Sequence, residues 1–336
     1  MNTKMLRTTE TERTKSITTA ATYLKRGEVV AIPTETVYGL AADATNEQAV
    51  RKIFAAKGRP QDNPLIIHVA SKEQLMRYVT HVRPYVEALI DTFSPGPITY
   101  VLPSSNHVAP NVTAGLPTVG IRIPRHEITL SLLEKVQVPL AAPSANLSGR
   151  PSPTSAQHVM DDLNGKIAAI LDGGHTDIGI ESTVIDCTED VPIVLRLGAI
   201  TERDIVRVVG NVHIATNSKV GESPRSPGQK YVHYAPDVPL LLVTNRNKLQ
   251  RTIDEERLAG RRVAVMLTND TTTVTNANKI ALLGTKSTAQ MQKLYDLLRS
   301  YNEREIDVIV CEAPDESVET AALLDRLTRA ATKVIE

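Results

Sequence analysis

EVVAIPTETVYGL (28–40) runs from a short apolar stretch into a polar, turn-forming one. Val29 to Ile32 have the length and composition of a buried strand, and Pro33 stops it. Thr34, Glu35, Thr36 and Tyr38 then fall at a strand's C-terminal end, where α/β folds place ligand sites. A capped turn accounts for the same residues when they are taken alone. Upstream, Ile17, Ala20, Ala21 and Leu24 recur at helical spacing, with Ser16 as the expected cap and Gly27 as the stop. Downstream, a helix is expected from Thr45, with Gln48 completing a capping box, to about Lys57.

LIIHV (65–69) reads as a strand followed by a capping box from Ser71 to Gln74. Further strands are expected at 97–102, 118–123, 138–142, 167–171, 182–187 and 192–197, then a helix over 201–209. Short strands with scattered helices and no regular repeat predict a twisted mixed sheet in an α/β domain. Residues 212–236 are rich in Pro, Gly, Ser and basic side chains, which is a linker composition. Beyond them, strands at 240–243, 262–267, 279–283 and 307–311 alternate with helices at 247–259, 287–301 and 317–334. That alternation predicts a smaller, Rossmann-like parallel α/β domain. The expected division is therefore 1–211, a linker or lid over 212–236, and 237–336. A chain of 336 residues fits two domains at roughly 150 residues each.

Composition excludes several function classes. Thirty-eight basic residues balance 38 acidic ones, and aromatics make up 3% with no Trp. That argues against a protein that coats nucleic acid or stacks single-stranded bases. Two cysteines cannot build a disulfide scaffold or a Cys-rich zinc site. The polar N-terminus lacks a signal-peptide apolar core, and no uncharged apolar run reaches about 18 residues. A cytoplasmic protein without a membrane span is expected. The chain has no GxxxxGK[ST], no GxGxxG after a strand, no HExxH and no GxSxG.

Other polar segments compete with bland readings. KGRPQDNPLIIH (57–68) puts Lys57 and Arg59 at a helix end on a Pro-stiffened loop. Two cations there answer the helix dipole, or hold a triphosphate or carboxylate. His68 taken alone is more often a satisfied core histidine than a catalytic one. Arg122 in TVGIRIP (118–124) and Arg196 in VLRLG (194–198) sit in apolar strands. A buried arginine needs a structural carboxylate or a ligand's acid group, and two of them favour a polyanion. Ser144, Asn146, Ser148 and Ser152 run through APSANLSGRPSPT (142–154), as a ribose- and phosphate-holding loop or a plain surface loop. ESTVID (181–186) adds Ser182 at a strand start. Tyr231 and Tyr234 in the linker need a surface to cover them, which suggests a segment folded back as a lid.

Taken in order, PTETVYGL, KGRPQDNPLIIH, TVGIRIP, APSANLSGRPSPT, ESTVID, LRLG and SPGQKYVHYAP resemble the threonylcarbamoyl-AMP synthase family in its long two-domain form. The resemblance is dense over 16–210, continues through the linker, and is looser beyond it. It departs at Gln229, where the family usually carries Met, and in the final helix. It implies a nucleotidyltransferase that converts L-threonine, bicarbonate and ATP into L-threonylcarbamoyladenylate and pyrophosphate. The product would pass to a downstream tRNA-modifying transferase complex that makes threonylcarbamoyladenosine. It also implies a catalytic sheet built around a basic cavity. Thr34, Thr36, His68, Arg122 and Ser182 would then surround threonine. Arg59, Asn63, Thr118, Ser144, Asn146, Ser152 and Arg196 would hold ATP, with Tyr231 covering it. Lys57 and Arg59 would steady phosphates and bicarbonate, and Mg2+ would bridge the phosphates with few protein ligands. The competing class is an RNA-binding accessory protein without catalysis, and a weak RNA contact is compatible with either. A related carbamoyl-adenylate step in hydrogenase maturation would bring Cys clusters and an acylphosphatase-like region, which this sequence lacks.

Overall fold

A computed structural model describes residues 2–215 and 234–336, and they form two compact units. The first comprises 2–148, 153–177 and 181–215; the second comprises 149–152, 178–180 and 234–336.

In the first unit the order is β1 (Lys4–Arg7), α1 (Arg13–Lys25), β2 (Val30–Ile32), β3 (Gly39–Asp43), α2 (Glu47–Lys57), β4 (Ile66–His68), α3 (Lys72–Met76) and α4 (Pro84–Phe93). Then come β5 (Ile98–Pro103), α5 (Pro110–Thr113), β6 (Thr118–Arg122), α6 (Glu127–Val136), β7 (Leu140–Ala141) and α7 (Ala156–Leu163). The unit ends with β8 (Ala169–Asp172), β9 (Thr183–Asp186), β10 (Ile193–Arg196), α8 (Glu202–Val209) and β11 (His213–Ile214). Among the described residues these strands make one mixed 11-stranded sheet, ordered β1-β8-β2-β3-β7-β4-β6-β5-β9-β10-β11.

Alternate residues of the strands feed two apolar layers, as the pleat requires. Val30, Ile32, Ala169 and Leu171 pack with Ile17, Leu24, Leu132 and Leu133 of α1 and α6. Ala31 and Ile170 face the other way, towards Val50, Ile53 and Leu89 of α2 and α4. The sheet is thus buried on both faces, which is why its strands read as apolar runs rather than as alternating ones.

Several expected boundaries move. Helix α1 starts at Arg13, and Ser16 is not its cap; buried in the first turn, its hydroxyl donates to the Arg7 carbonyl and ties the helix to β1. Asn46 rather than Thr45 caps α2, accepting from the Gln48 and Ala49 N–H groups, while Thr45 donates to Asp43. Asn is at least as good a cap as Thr. Ser71 caps α3 as expected, and Thr201 with Asp204 forms a full capping box on α8. The N-terminal KMLR segment joins the sheet as β1, parallel to β8, a pairing set by a partner more than 160 residues away rather than by its own pattern.

The second unit carries β12 (Leu240–Val243), α9 (Leu249–Leu258), β13 (Val263–Leu267), β14 (Lys279–Leu282), α10 (Ser287–Ser300), β15 (Val308–Glu312), α11 (Ala321–Ala330) and β16 (Lys333–Ile335). All five strands are parallel, ordered β14-β13-β15-β12-β16. The helix expected over 317–334 is shorter, because its last residues turn out to pair with β12 as β16. Tyr234 of the linker is buried here, stacked on Tyr295 at 5.4 Å between ring centroids and lying beneath the Arg326 guanidinium at 5.5 Å. The need of a linker tyrosine for a covering surface is met by this unit's own residues.

Candidate active site

The PTETVYGL segment leaves β2 and joins two groups of polar side chains. Its front half meets Arg122 at the end of β6. The Arg122 Nη1 donates to Thr36 Oγ1 (2.9 Å) and its Nε to the Gly96 carbonyl (3.2 Å), while Nη2 lies 2.8 Å from Glu35 Oε2. Thr34 and Thr36 share a 2.9 Å hydroxyl contact, and Thr34 Oγ1 donates to the Val37 carbonyl. Parallel pairing of β4 with β6 sets His68 level with Arg122. All of these side chains are buried.

This group is incompletely satisfied. The Glu35–Arg122 contact is an ion pair without aligned hydrogen bonds, so both Glu35 oxygens and Arg122 Nη2 lack one, as does His68 Nδ1. Buried polar atoms are ordinarily paired, and exceptions call for a reason. Burial pushes the Glu35 carboxyl up, but the adjacent Arg122 charge, the strongest opposing influence, leaves its pKa lowered. Burial, helped by the Arg122 charge, drives His68 down to about 3, so the imidazole is neutral.

Gly96 links this group to a second one. Its carbonyl holds Arg122, and the next carbonyl, of Pro97, accepts from the Thr183 N–H beside Ser182. Ser182 Oγ contacts Thr99 Oγ1 at 2.8 Å and accepts from Arg196 Nη2 at 3.1 Å; Arg196 Nε donates to the Ser182 carbonyl. Position 96 demands glycine, since a Cβ there would lie 2.2 Å from the Phe93 carbonyl oxygen.

The back half of PTETVYGL binds the 143–145 loop. Leu40 N–H donates to the Pro143 carbonyl, Ala145 N–H to the Tyr38 carbonyl, and Gly39 bridges to Ser144. Lys57, the last residue of α2 and 3% exposed, donates to the carbonyls of Ser144 and Asn146 and, at 3.4 Å, to Asn146 Oδ1. It therefore clamps the loop that presents Ser144 and Asn146. Gly58, left-handed at φ 63°, ends α2 here and turns the chain into the 59–64 loop. In that loop Arg59 Nη2 donates to the carbonyls of Pro64 (3.2 Å) and Asn63 (3.5 Å), and Asn63 Oδ1 is buried without a donor. Continued two residues back, the β4–β6 register sets Thr118 level with Pro64.

The structure thus gathers Thr34, Thr36, His68 and Arg122 in one group and Ser182 with Arg196 in a second. Lys57 is bonded to Ser144 and Asn146, and Arg59 to the Asn63 backbone. Ser152 is buried and belongs to the second unit; Tyr231 lies outside the described residues. Gly96 and Thr99 are not among the sequence candidates, and Glu35, named with its motif, is absent from the site residues that the resemblance implies. Glu35 had a signal, because it stands between two threonines in the deciding motif. Among the described residues, no group of three or more His, Cys, Asp or Glu side chains gathers as a metal site, and no helix is long and apolar enough to cross a membrane.

A family model described as "Telomere recombination" (Sua5, YciO and YrdC) matches residues 22–198, and one described as "Threonylcarbamoyl-AMP synthase, C-terminal domain" matches 200–332. The chain belongs to the threonylcarbamoyl-AMP synthase family. The threonylcarbamoyl-AMP synthase of Bacillus subtilis is 46% identical over 94% of this chain and 92% of its own length. The enzyme of that name from Pyrococcus abyssi is 44% identical over 93% of this chain and 92% of its own. A crystal structure of P. abyssi Sua5 complexed with L-threonine superposes with a TM-score of 0.93, at 41% identity, across 100% of this chain and 99% of that one. This synthase-family membership favours catalysis over the RNA-binding reading.

Proposed function

We propose that this chain makes L-threonylcarbamoyladenylate and pyrophosphate from L-threonine, bicarbonate and ATP. The observation that carries the reading is the buried Glu35–Arg122 pair, its hydrogen bonding unfinished, flanked by Thr34, Thr36 and His68. Opposite charges side by side suit a zwitterionic amino acid. Arg122 Nη2 retains a donor for the threonine carboxylate, and Glu35 offers acceptor oxygens to the amino group. The neutral His68 and the threonine hydroxyls supply polar contacts that add no charge.

Two steps follow. The threonine amine and bicarbonate give a carbamate and water; a carbamate oxygen then attacks the α-phosphorus of ATP, and pyrophosphate leaves. No enzyme nucleophile is required, so the demands are positioning, charge neutralisation and exclusion of water. Arg196 and Arg59 would neutralise the nucleotide, with Asn63, Thr118, Ser144 and Asn146 as further polar contacts. Lys57 contributes through the loop it clamps. Mg2+, if it accompanies ATP, would supply charge neutralisation at the phosphates, and no cluster of three or more His, Cys, Asp or Glu among the described residues would hold it. The adenylate would then pass, in the cytoplasm, to a transferase complex that builds threonylcarbamoyladenosine in tRNA.

The test is pyrophosphate release by the purified chain with ATP, Mg2+, bicarbonate and L-threonine. Release that needs both threonine and bicarbonate is expected. Release independent of either, or none, contradicts the proposal.

A further inference from the structure

In the second unit the connections leaving β13 and β15 run in opposite directions, from β13 to β14 at one edge and from β15 to β16 at the other. Neighbouring parallel strands whose connections diverge leave a crevice at their carboxyl ends, the usual ligand position in an open parallel sheet. A cavity of about 180 Å3 occupies that place. Its walls include Asn269 and Asp270 after β13, Asp315 after β15, and Thr285, Ser287 and Gln290 at the start of α10.

Two independent features of this cavity call for a ligand. Helix α10 is 14 residues long and its cap residue, Lys286, makes no side-chain capping bond. First-turn N–H groups there favour an acid group. Separately, Gln290 is 4% exposed and its Nε2 donates to the Thr268 (2.7 Å) and Gly284 (2.9 Å) carbonyls. Those two bonds set the orientation of the amide and leave Oε1, buried at the cavity wall, without a donor. The Asp270 and Asp315 carboxylates add acceptors beside it.

The surroundings limit the class of ligand. Arg246 also borders the cavity, but it is engaged by Glu312 (2.7 Å) and Asp315 (3.1 Å). The N–H groups of Thr268 and Asn269, which could cradle a phosphate, already hold the Glu312 carboxylate. The volume is below the range of roughly 300–1,000 Å3 usual for drug-sized ligands. We propose that this crevice binds a small zwitterion of amino-acid size, its carboxylate on the α10 N-terminus and its ammonium on Gln290 Oε1 and a neighbouring aspartate.

The experiment uses the full chain and the twenty L-amino acids, each at about 10 mM, with inorganic phosphate alongside. Hydrogen exchange is read in segments 268–270 and 285–290. Running the panel in Arg122→Ala as well separates this crevice from the threonine site of the first unit. At least one amino acid is expected to slow exchange in those segments by about threefold or more, in both proteins. Gln290→Leu should abolish that protection. Because it also strips two buried carbonyls of their donor, Thr285→Arg, at an exposed position on the cavity wall, serves as the fold-preserving variant and should abolish it too. Absence of protection by any amino acid, protection that survives Thr285→Arg, or equal protection by phosphate would each overturn the proposal.

Discussion

Two buried carboxylates, one in each unit, are treated in opposite ways. Glu312 accepts from the N–H groups of Thr268 and Asn269, the hydroxyls of Thr268 and Thr272, and Arg246 Nε. Glu35, with a side chain 0% exposed, has one ion pair and no aligned hydrogen bond. A buried charge that is fully paired is a self-contained piece of architecture. One that is left short is costly to the free protein and becomes stable when something else completes it. The contrast separates a structural carboxylate from one that belongs to a binding site, although both look alike as acidic residues at strand ends.

Substitutions can break that contrast. The largest effect is expected at Arg122: Arg122→Ala should reduce threonine-dependent pyrophosphate release by about 10³-fold or more, and should destabilise the first unit by about 3–5 kcal/mol by stranding Glu35. Activity per folded molecule, measured beside a urea titration, separates the two losses. Arg196→Ala, which frees Ser182, and Arg59→Ala should each cost about 10²-fold in kcat/KM while the melting temperature holds. Near-normal turnover in both would mean the nucleotide lies elsewhere.

Glu35→Gln should then raise the KM for threonine about tenfold, at a modest loss of stability equal to what its lowered pKa contributes. Glu312→Gln should lower stability by about 1–3 kcal/mol and leave kcat/KM unchanged. Identical behaviour of the two variants would remove the distinction drawn between them.

The smallest effect is on pH dependence. His68, at about 3 in the fold, is neutral folded and protonated unfolded between roughly pH 3 and 6.5. The unfolded chain binds more protons in that window, so stability is highest above about 6.5 and falls as pH drops through it. Glu35 acts in the same sense at lower pH: its lowered pKa contributes stability above its ordinary value near 4.5, lost as pH falls through the folded value. Denaturant midpoints should show about 1–2 kcal/mol lost from pH 6.5 to 5, and His68→Asn should flatten that slope.

Much of this was legible in the chain. Buried strands such as VAI of β2 and IIH of β4 announce themselves as apolar runs, and the arginines of β6 and β10 stand out in them. Strand β1 was not legible, because KMLR has no pattern of its own and gains its strand from β8. Nor was the partner of Arg122: local sequence showed a buried cation but not whether a carboxylate of the protein or of a ligand would meet it. The structure gives a mixed result, with Glu35 close enough for charge and too poorly aligned for a hydrogen bond. Lys57 reads as a phosphate ligand from its loop, whereas its folded partners are carbonyls of another loop nearly 90 residues away. Contacts at that separation are set by topology, which residue spacing does not encode.

The most direct measurement of the central claim is calorimetric L-threonine binding to the full chain, Arg122→Lys and Glu312→Gln, with melting temperatures recorded in parallel. Lysine keeps the charge but not the forked donor geometry. The account predicts that Arg122→Lys weakens threonine binding by about 30-fold or more while Glu312→Gln binds as the unaltered chain does. Unchanged binding in Arg122→Lys would contradict it.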